Sequence, residues 1–162
     1  MGMARTILGD SYISVVYSRP YKRDRENIFG TKEAEALVPY GEIWRTGANE
    51  ATQITITKDV TVAGKPLAAG TYTLFTTPGE KQWQVHFNSK LGMWGTYGPG
   101  ADGKFGPAFD ADLNVLSVTV DASQLEEEVE QLTLAMKDTE GGSDLVLQWL
   151  NTEVRVPFGV SH

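Results

Sequence analysis

Apolar residues recur at every second position in short runs, and glycine and proline break the runs at intervals of about ten residues, the pattern of an all-β protein. Residues 12–17 set Ile13, Val15 and Tyr17 against Ser14 and stop at Ser18-Arg19-Pro20, where proline cannot extend a central ladder. Residues 52–57 alternate Ile54 and Ile56 with Gln53, Thr55 and Thr57, and Val60 and Val62 continue the pattern to a turn at Ala63-Gly64-Lys65. After a corner at residues 66–70, residues 71–76 put Tyr72 and Leu74 on one face and Phe75 on the other. Pro78-Gly79 then turns into the cleanest run, with Trp83, Val85 and Phe87 inward and Gln84, His86 and Asn88 outward.

The second half is less regular. Residues 89–113 lack strand character and contain Trp94-Gly95-Thr96-Tyr97-Gly98-Pro99-Gly100, a long loop suited to be a lid. A strand follows at residues 115–120. Residues 124–130 are rich in helix formers, but Leu132, Leu134 and Met136 alternate with Thr133 and Ala135, which predicts strand from about Val129. Gly141-Gly142-Ser143 turns the chain into Leu145, Leu147 and Trp149, and Val154 and Val156 form a last strand closed by Pro157. One helical turn or two is predicted over residues 31–37, from the N-cap Thr31 to Leu37, with Pro39 ending it.

The pattern thus predicts a mainly antiparallel β-sandwich or flattened barrel of about eight or nine strands, with at most one or two short helices. Residues 12–158 read as a single β domain, residues 1–11 as an N-terminal arm (an appended segment or the remnant of a trimmed leader), and residues 159–162 as a tail. The 162 residues suffice for one core without staples. A 41% hydrophobic and 22% charged composition places the chain among globular proteins, and no segment reads as a membrane span. With a net charge of -7 and no basic cluster, nucleic acid and anionic membranes are poor partners. The absence of cysteine removes disulfides, thiolate metal sites and cysteine nucleophiles.

Candidate chemistry concentrates in residues 38–52, which gather Tyr40, Trp44, Arg45, Asn49 and Glu50 around Gly41 and Gly47. Arg45 offers a planar fork of donors and Glu50 accepts, so the two either contact a ligand or form an internal ion pair with Asn49 tying down the turn. Tyr40, Trp44, Trp94 and Tyr97 are suited to stacking on sugar rings, or else serve as core plugs. His86 has the ordinary pKa of an acid/base catalyst, but the alternation sets it on a polar, solvent-facing sheet surface. With His162 terminal, no imidazole-based metal site can form, and Asp102, Asp110 and Asp112 are too commonplace a set to predict a metal. No nucleophile elbow, phosphate loop or dinucleotide fingerprint is present, and no cofactor is expected.

Several stretches appear in an order that resembles the domain of unknown function 2911 family: Tyr17-Ser18-Arg19-Pro20, Ile28-Phe29-Gly30, residues 37–41, residues 44–52, residues 69–75, Trp94-Gly95 and Gln148-Trp149. The resemblance spans residues 6–158. It implies no established activity, and it implies an exported bacterial protein, periplasmic or secreted. Residues 98–112 are longer and richer in glycine than the family pattern, and His86 stands where that pattern has an apolar residue.

The function these residues favour is small-molecule or glycan binding in a cleft formed by residues 38–51, Arg19 and the 89–113 loop. Arg19 and Arg45 would hold an anionic or polyhydroxylated ligand, Asn49 and Glu50 would orient it, and Tyr40, Trp44, Trp94 and Tyr97 would stack on it. A hydrolase acting on a glycoside or ester, with Glu50 or His86 as acid/base, is the first alternative. A structural envelope module with a buried Arg45-Glu50 pair is the second.

Overall fold

Alternation of apolar and polar residues builds, in the computed structural model of residues 1–161, a nine-stranded antiparallel sheet with two small two-stranded sheets beside it. The chain runs through β1 (Gly2–Leu8), β2 (Ser11–Tyr17), β3 (Phe29–Gly30), β4 (Val38–Pro39), β5 (Gln53–Ile56), β6 (Val60–Val62) and β7 (Lys65–Leu67). It continues through β8 (Gly70–Thr77), β9 (Gln82–Asn88), β10 (Tyr97–Pro99), β11 (Phe105–Pro107), a 3-10 turn (Ala111–Leu113), β12 (Asn114–Thr139) and β13 (Gly142–Val160). The strand order in the large sheet is β1-β2-β5-β8-β9-β12-β13-β6-β7.

The sheet curls because β12 serves both halves. Its first part pairs with β9 as far as Asp121–Gln82, and from Ala122 onward it pairs with β13. The turn-former Pro20 does not leave the structure: Leu132 N donates to Pro20 O (3.0 Å) and Lys22 N to Glu130 O (2.8 Å), so the chain after β2 meets β12. Leu134 N donates to the Tyr17 hydroxyl at 2.9 Å, and Thr6 Oγ1 donates to Asp138 Oδ1 at 3.2 Å. These contacts close the sheet into a flattened barrel.

Inside lie the inward faces of both halves, among them Ile13, Val15, Ile54, Ile56, Leu74, Val85, Phe87, Leu132, Leu134, Leu145 and Val156. At one end Phe29, Trp44, Trp83 and Trp149 pack as a cluster. Phe29 meets the three indoles edge-on at 5.2–5.7 Å, and Trp44 stacks on Trp149 at 6.1 Å. Rings of this size remove roughly 150–250 Å² each from water, an upper value of about 4–6 kcal/mol apiece by area. A smaller cluster of Ala51, Phe75 and Met93, with Phe109 edge-on to Phe75 at 4.9 Å, holds the 89–113 segment on the outer face of β8.

Four expectations change. The N-terminal arm is strand β1, joined to β2 by a tight turn at Gly9-Asp10, where Gly9 takes φ +60°. Its alternation is masked because Met3 and Ile7 face outward while Ala4 and Leu8 are buried. In the tail, Gly159 and Val160 pair with β6, and His162 lies outside the described residues. Residues 31–37 make turns instead of a helix: Ala34 N donates to Thr31 Oγ1 and Ala36 N to Thr31 O, but Glu35 adopts φ 57°, which ends helical propagation. The helix formers at residues 124–130 sit within β12, where the pairing with β13 slips between Gln124 and Val129 and again before Thr133.

Candidate functional site

Residues 44–52 form a tightly bonded loop. Trp44 and Thr76 exchange backbone hydrogen bonds (2.8 and 3.0 Å), fixing the loop to β8. Thr46 is fully buried at φ 58°, with its hydroxyl 3.1 Å from both Leu74 O and Thr76 Oγ1. Thr52 Oγ1 donates to Thr46 O at 2.8 Å, and the Trp44 indole N–H to Gly47 O at 3.2 Å. Asn49 takes a second left-handed turn at φ 58°. Such turns cost an L-residue energy, and the buried hydrogen bonds offset it.

This loop lies against residues 93–97. Ala51 N donates to Met93 O (3.1 Å) and Gly95 N to Asn49 O (2.9 Å), while Trp94 and Tyr97 close a tight turn with bonds of 2.7 and 2.9 Å. Two clefts share the resulting wall. The first, about 340 Å³, is lined by Arg25, Leu37, Ile43, Trp44, Arg45, Thr96 and Trp149 among others. The second, about 390 Å³, draws on Glu50, Met93, Trp94, Phe105, Val16 and Gln53.

The first cleft carries the concentrated positive charge. Arg25 and Arg45 both line it and no aspartate or glutamate does. The ion pairs among the described residues engage Lys22, Lys32 and Arg155, neither of these arginines. Arg25 Nη2 donates to Tyr21 O, whereas its Nε is buried without a hydrogen-bond partner. The Arg45 guanidinium lies over Gly95, where a Cβ would come 2.8 Å from Nη1 and where φ is +62°. Only glycine combines that backbone conformation with that close approach.

The expected site residues scatter. Trp44 and Arg45 meet in the first cleft, but Trp44 is only 7% exposed and acts chiefly as a core plug. Glu50 and Trp94 (47% exposed) belong to the second cleft. The Arg45-Glu50 ion pair does not form, because the two left-handed residues between them turn the exposed Glu50 toward Trp94. Asn49 contributes its backbone carbonyl to Gly95. Tyr40 borders a small hollow with Phe29 and Trp83, and Tyr97 is half exposed outside both clefts. Arg19 clamps the barrel instead of reaching the cleft, its Nε donating to Leu132 O and its Nη2 to Thr133 Oγ1, both at 3.0 Å.

His86 is the clearest correction. It is 6% exposed, not solvent-facing, with Nε2 2.9 Å from Thr77 Oγ1 and Nδ1 2.7 Å from Ser117 Oγ. Its cross-strand neighbour Phe75 is buried under the 89–113 segment, so the outer face is covered there. Burial holds its pKa below the ordinary histidine value. Asp102 and Asp110 cap turns, accepting from Lys104 N and Asp112 N.

Three lining residues carried no sequence signal as a set: Arg25, Thr96 and Trp149. Arg25 sits in a polar segment with Arg23 and Asp24, and only the closure of residues 20–22 onto β12 brings it to the cleft.

The model of a family described as "Protein of unknown function (DUF2911)" matches residues 2–158. No curated protein and no solved structure matches the chain.

Proposed function

The chain belongs to the DUF2911 family, whose function is unknown, and from that premise we propose that it binds a small molecule or glycan fragment in the first cleft. One observation carries this: an open hollow of about 340 Å³ with an indole floor is lined by side chains that keep unused hydrogen-bonding capacity. Ligand sites commonly combine an apolar surface with a few convergent polar groups. In this reading Arg45 keeps the role expected of it, and Arg25 stands in place of Arg19 as the second cation. An exported setting, periplasmic or secreted, remains part of this proposal.

Hydrolysis gains no comparable support. Both ring nitrogens of His86 are engaged by neighbouring strands, and His86 borders neither cleft. Glu50 is the one carboxylate lining the second cleft, whereas glycoside hydrolysis generally employs a pair.

The test is a thermal-shift screen against a library of saccharides and metabolites. A ligand should raise the melting temperature of the wild type and not that of a folded Arg45→Ala variant. An identical shift in both proteins would remove the first cleft as the site. An Arg45→Ala chain that fails to fold would assign Arg45 to the framework.

A further inference from the structure

We propose that the ligand of the first cleft is an oxyanion, a carboxylate or phosphate carried on a small body, held between the guanidinium groups of Arg25 and Arg45. The inference rests on the ligand-binding reading above and names the chemistry of its ligand.

Charge balance makes the case. The chain as a whole carries a net charge of -7, yet two cations line this cleft with no carboxylate among its lining residues. Like charges brought to one half-buried hollow repel, and a neutral ligand would leave that repulsion uncompensated. An anion relieves it. Guanidinium forks match carboxylate and phosphate oxygens with paired, charge-assisted hydrogen bonds.

Donor geometry points the same way. Arg25 Nε is buried without a partner and closed to the cleft, whereas Nη1 keeps some exposure and makes no hydrogen bond among the described residues, so Nη1 is the donor left for an acceptor in the cleft. The Arg45 guanidinium makes no hydrogen bond and no ion pair among the described residues. It is nonetheless positioned, because Gly95 lets it lie directly on the backbone. Thr96 adds a hydroxyl with no hydrogen-bond partner among the described residues, while its carbonyl is anchored by Ala108 N and Phe109 N at 2.9 and 3.1 Å. Donors converge here and acceptors with negative charge are missing.

The test follows arginine Nε–Hε resonances by two-dimensional NMR during titration with inorganic phosphate, acetate or glucose at low ionic strength. Phosphate or acetate should move the Arg25 and Arg45 signals saturably, and whichever of the two acts identifies the oxyanion. Glucose should not move them. Arg25→Gln and Arg45→Gln should each weaken anion binding by about tenfold, whereas Arg23→Gln, outside the cleft, should leave it unchanged. Raising the salt concentration should weaken it as well.

Signals that shift alike at all arginines, or binding that is unaltered in both glutamine variants, would overturn the inference. Saturable binding of glucose in preference to both anions would also overturn it and leave the ligand-binding reading standing. If the anions, glucose and the screening library all leave the cleft unperturbed, both fall together. Should one glutamine variant fail to fold, the other decides.

Discussion

The two clefts share a wall and differ in the charged side chains they present. One is lined by Arg25 and Arg45 without a carboxylate, the other by Glu50 without a basic side chain. Arg45 and Glu50 come from a single short loop, and what separates them is backbone conformation: Thr46 and Asn49 both take left-handed φ of 58°. Each such residue redirects the chain. Opposite charges close in sequence therefore face separate surfaces, and in place of the expected ion pair Arg45 and Glu50 line two different clefts.

The largest break in this comparison should come from Trp44→Ala, which removes the plug beneath the first cleft. Loss of its contacts with Phe29, Trp83 and Trp149 should cost about 3–5 kcal/mol in urea unfolding. Next, Arg19→Ala should cost roughly 1–3 kcal/mol by removing two hydrogen bonds from a charged group to β12. Ligand binding should persist in the folded fraction, which separates Arg19 from Arg45.

Gly95→Ala is expected to cost about 1–2 kcal/mol through its left-handed backbone and to push Arg45 aside. Calorimetry should then find weaker binding at the first cleft; unchanged affinity would mean that Arg45 does not need this seat. The His86 variant His86→Gln tests a region outside both clefts. Because burial lowers the native pKa, the unfolded chain binds the proton more tightly, so stability should be full above the unfolded value near 6.5 and fall as the pH drops below it. Unfolding across that window should show a pH slope in the wild type that flattens in His86→Gln. The smallest effect belongs to Glu50→Gln: exposed and unpaired, it should change stability by no more than about 0.5 kcal/mol and leave the first cleft's affinity intact.

How much of this was legible depends on residue environment. The runs around Ile54, Leu74 and Trp83 declared their strands because large apolar residues alternate with smaller or polar ones, even though the second face of the latter two is also partly buried, under the 89–113 segment. β1 did not, since Met3 and Ile7 face outward and invert the signal. The Gln124–Glu130 stretch is ambiguous because it is rich in helix formers, yet pairing with β13 overrides propensity at the cost of register slips. Trp44 was legible as aromatic but not as plug or platform, because that depends on Phe29, Trp83 and Trp149 meeting from distant strands. Choosing Arg25 over Arg19 was beyond the pattern altogether. Arg19 precedes Pro20 and Arg25 follows in the same polar stretch, and only hydrogen bonds to β12 assign one to the clamp and the other to the cleft.

Arg19 reaches Leu132 across 113 residues of chain. Joining points so distant costs loop entropy before any contact is rewarded, so hairpins such as β8–β9 can assemble well ahead of it. Arg25 reaches its cleft only through this closure, so the pair of arginines depends on a contact of long sequence separation. A ligand that needs both cations is thereby selective for the finished molecule, and its binding reports that the segment after β2 has met β12.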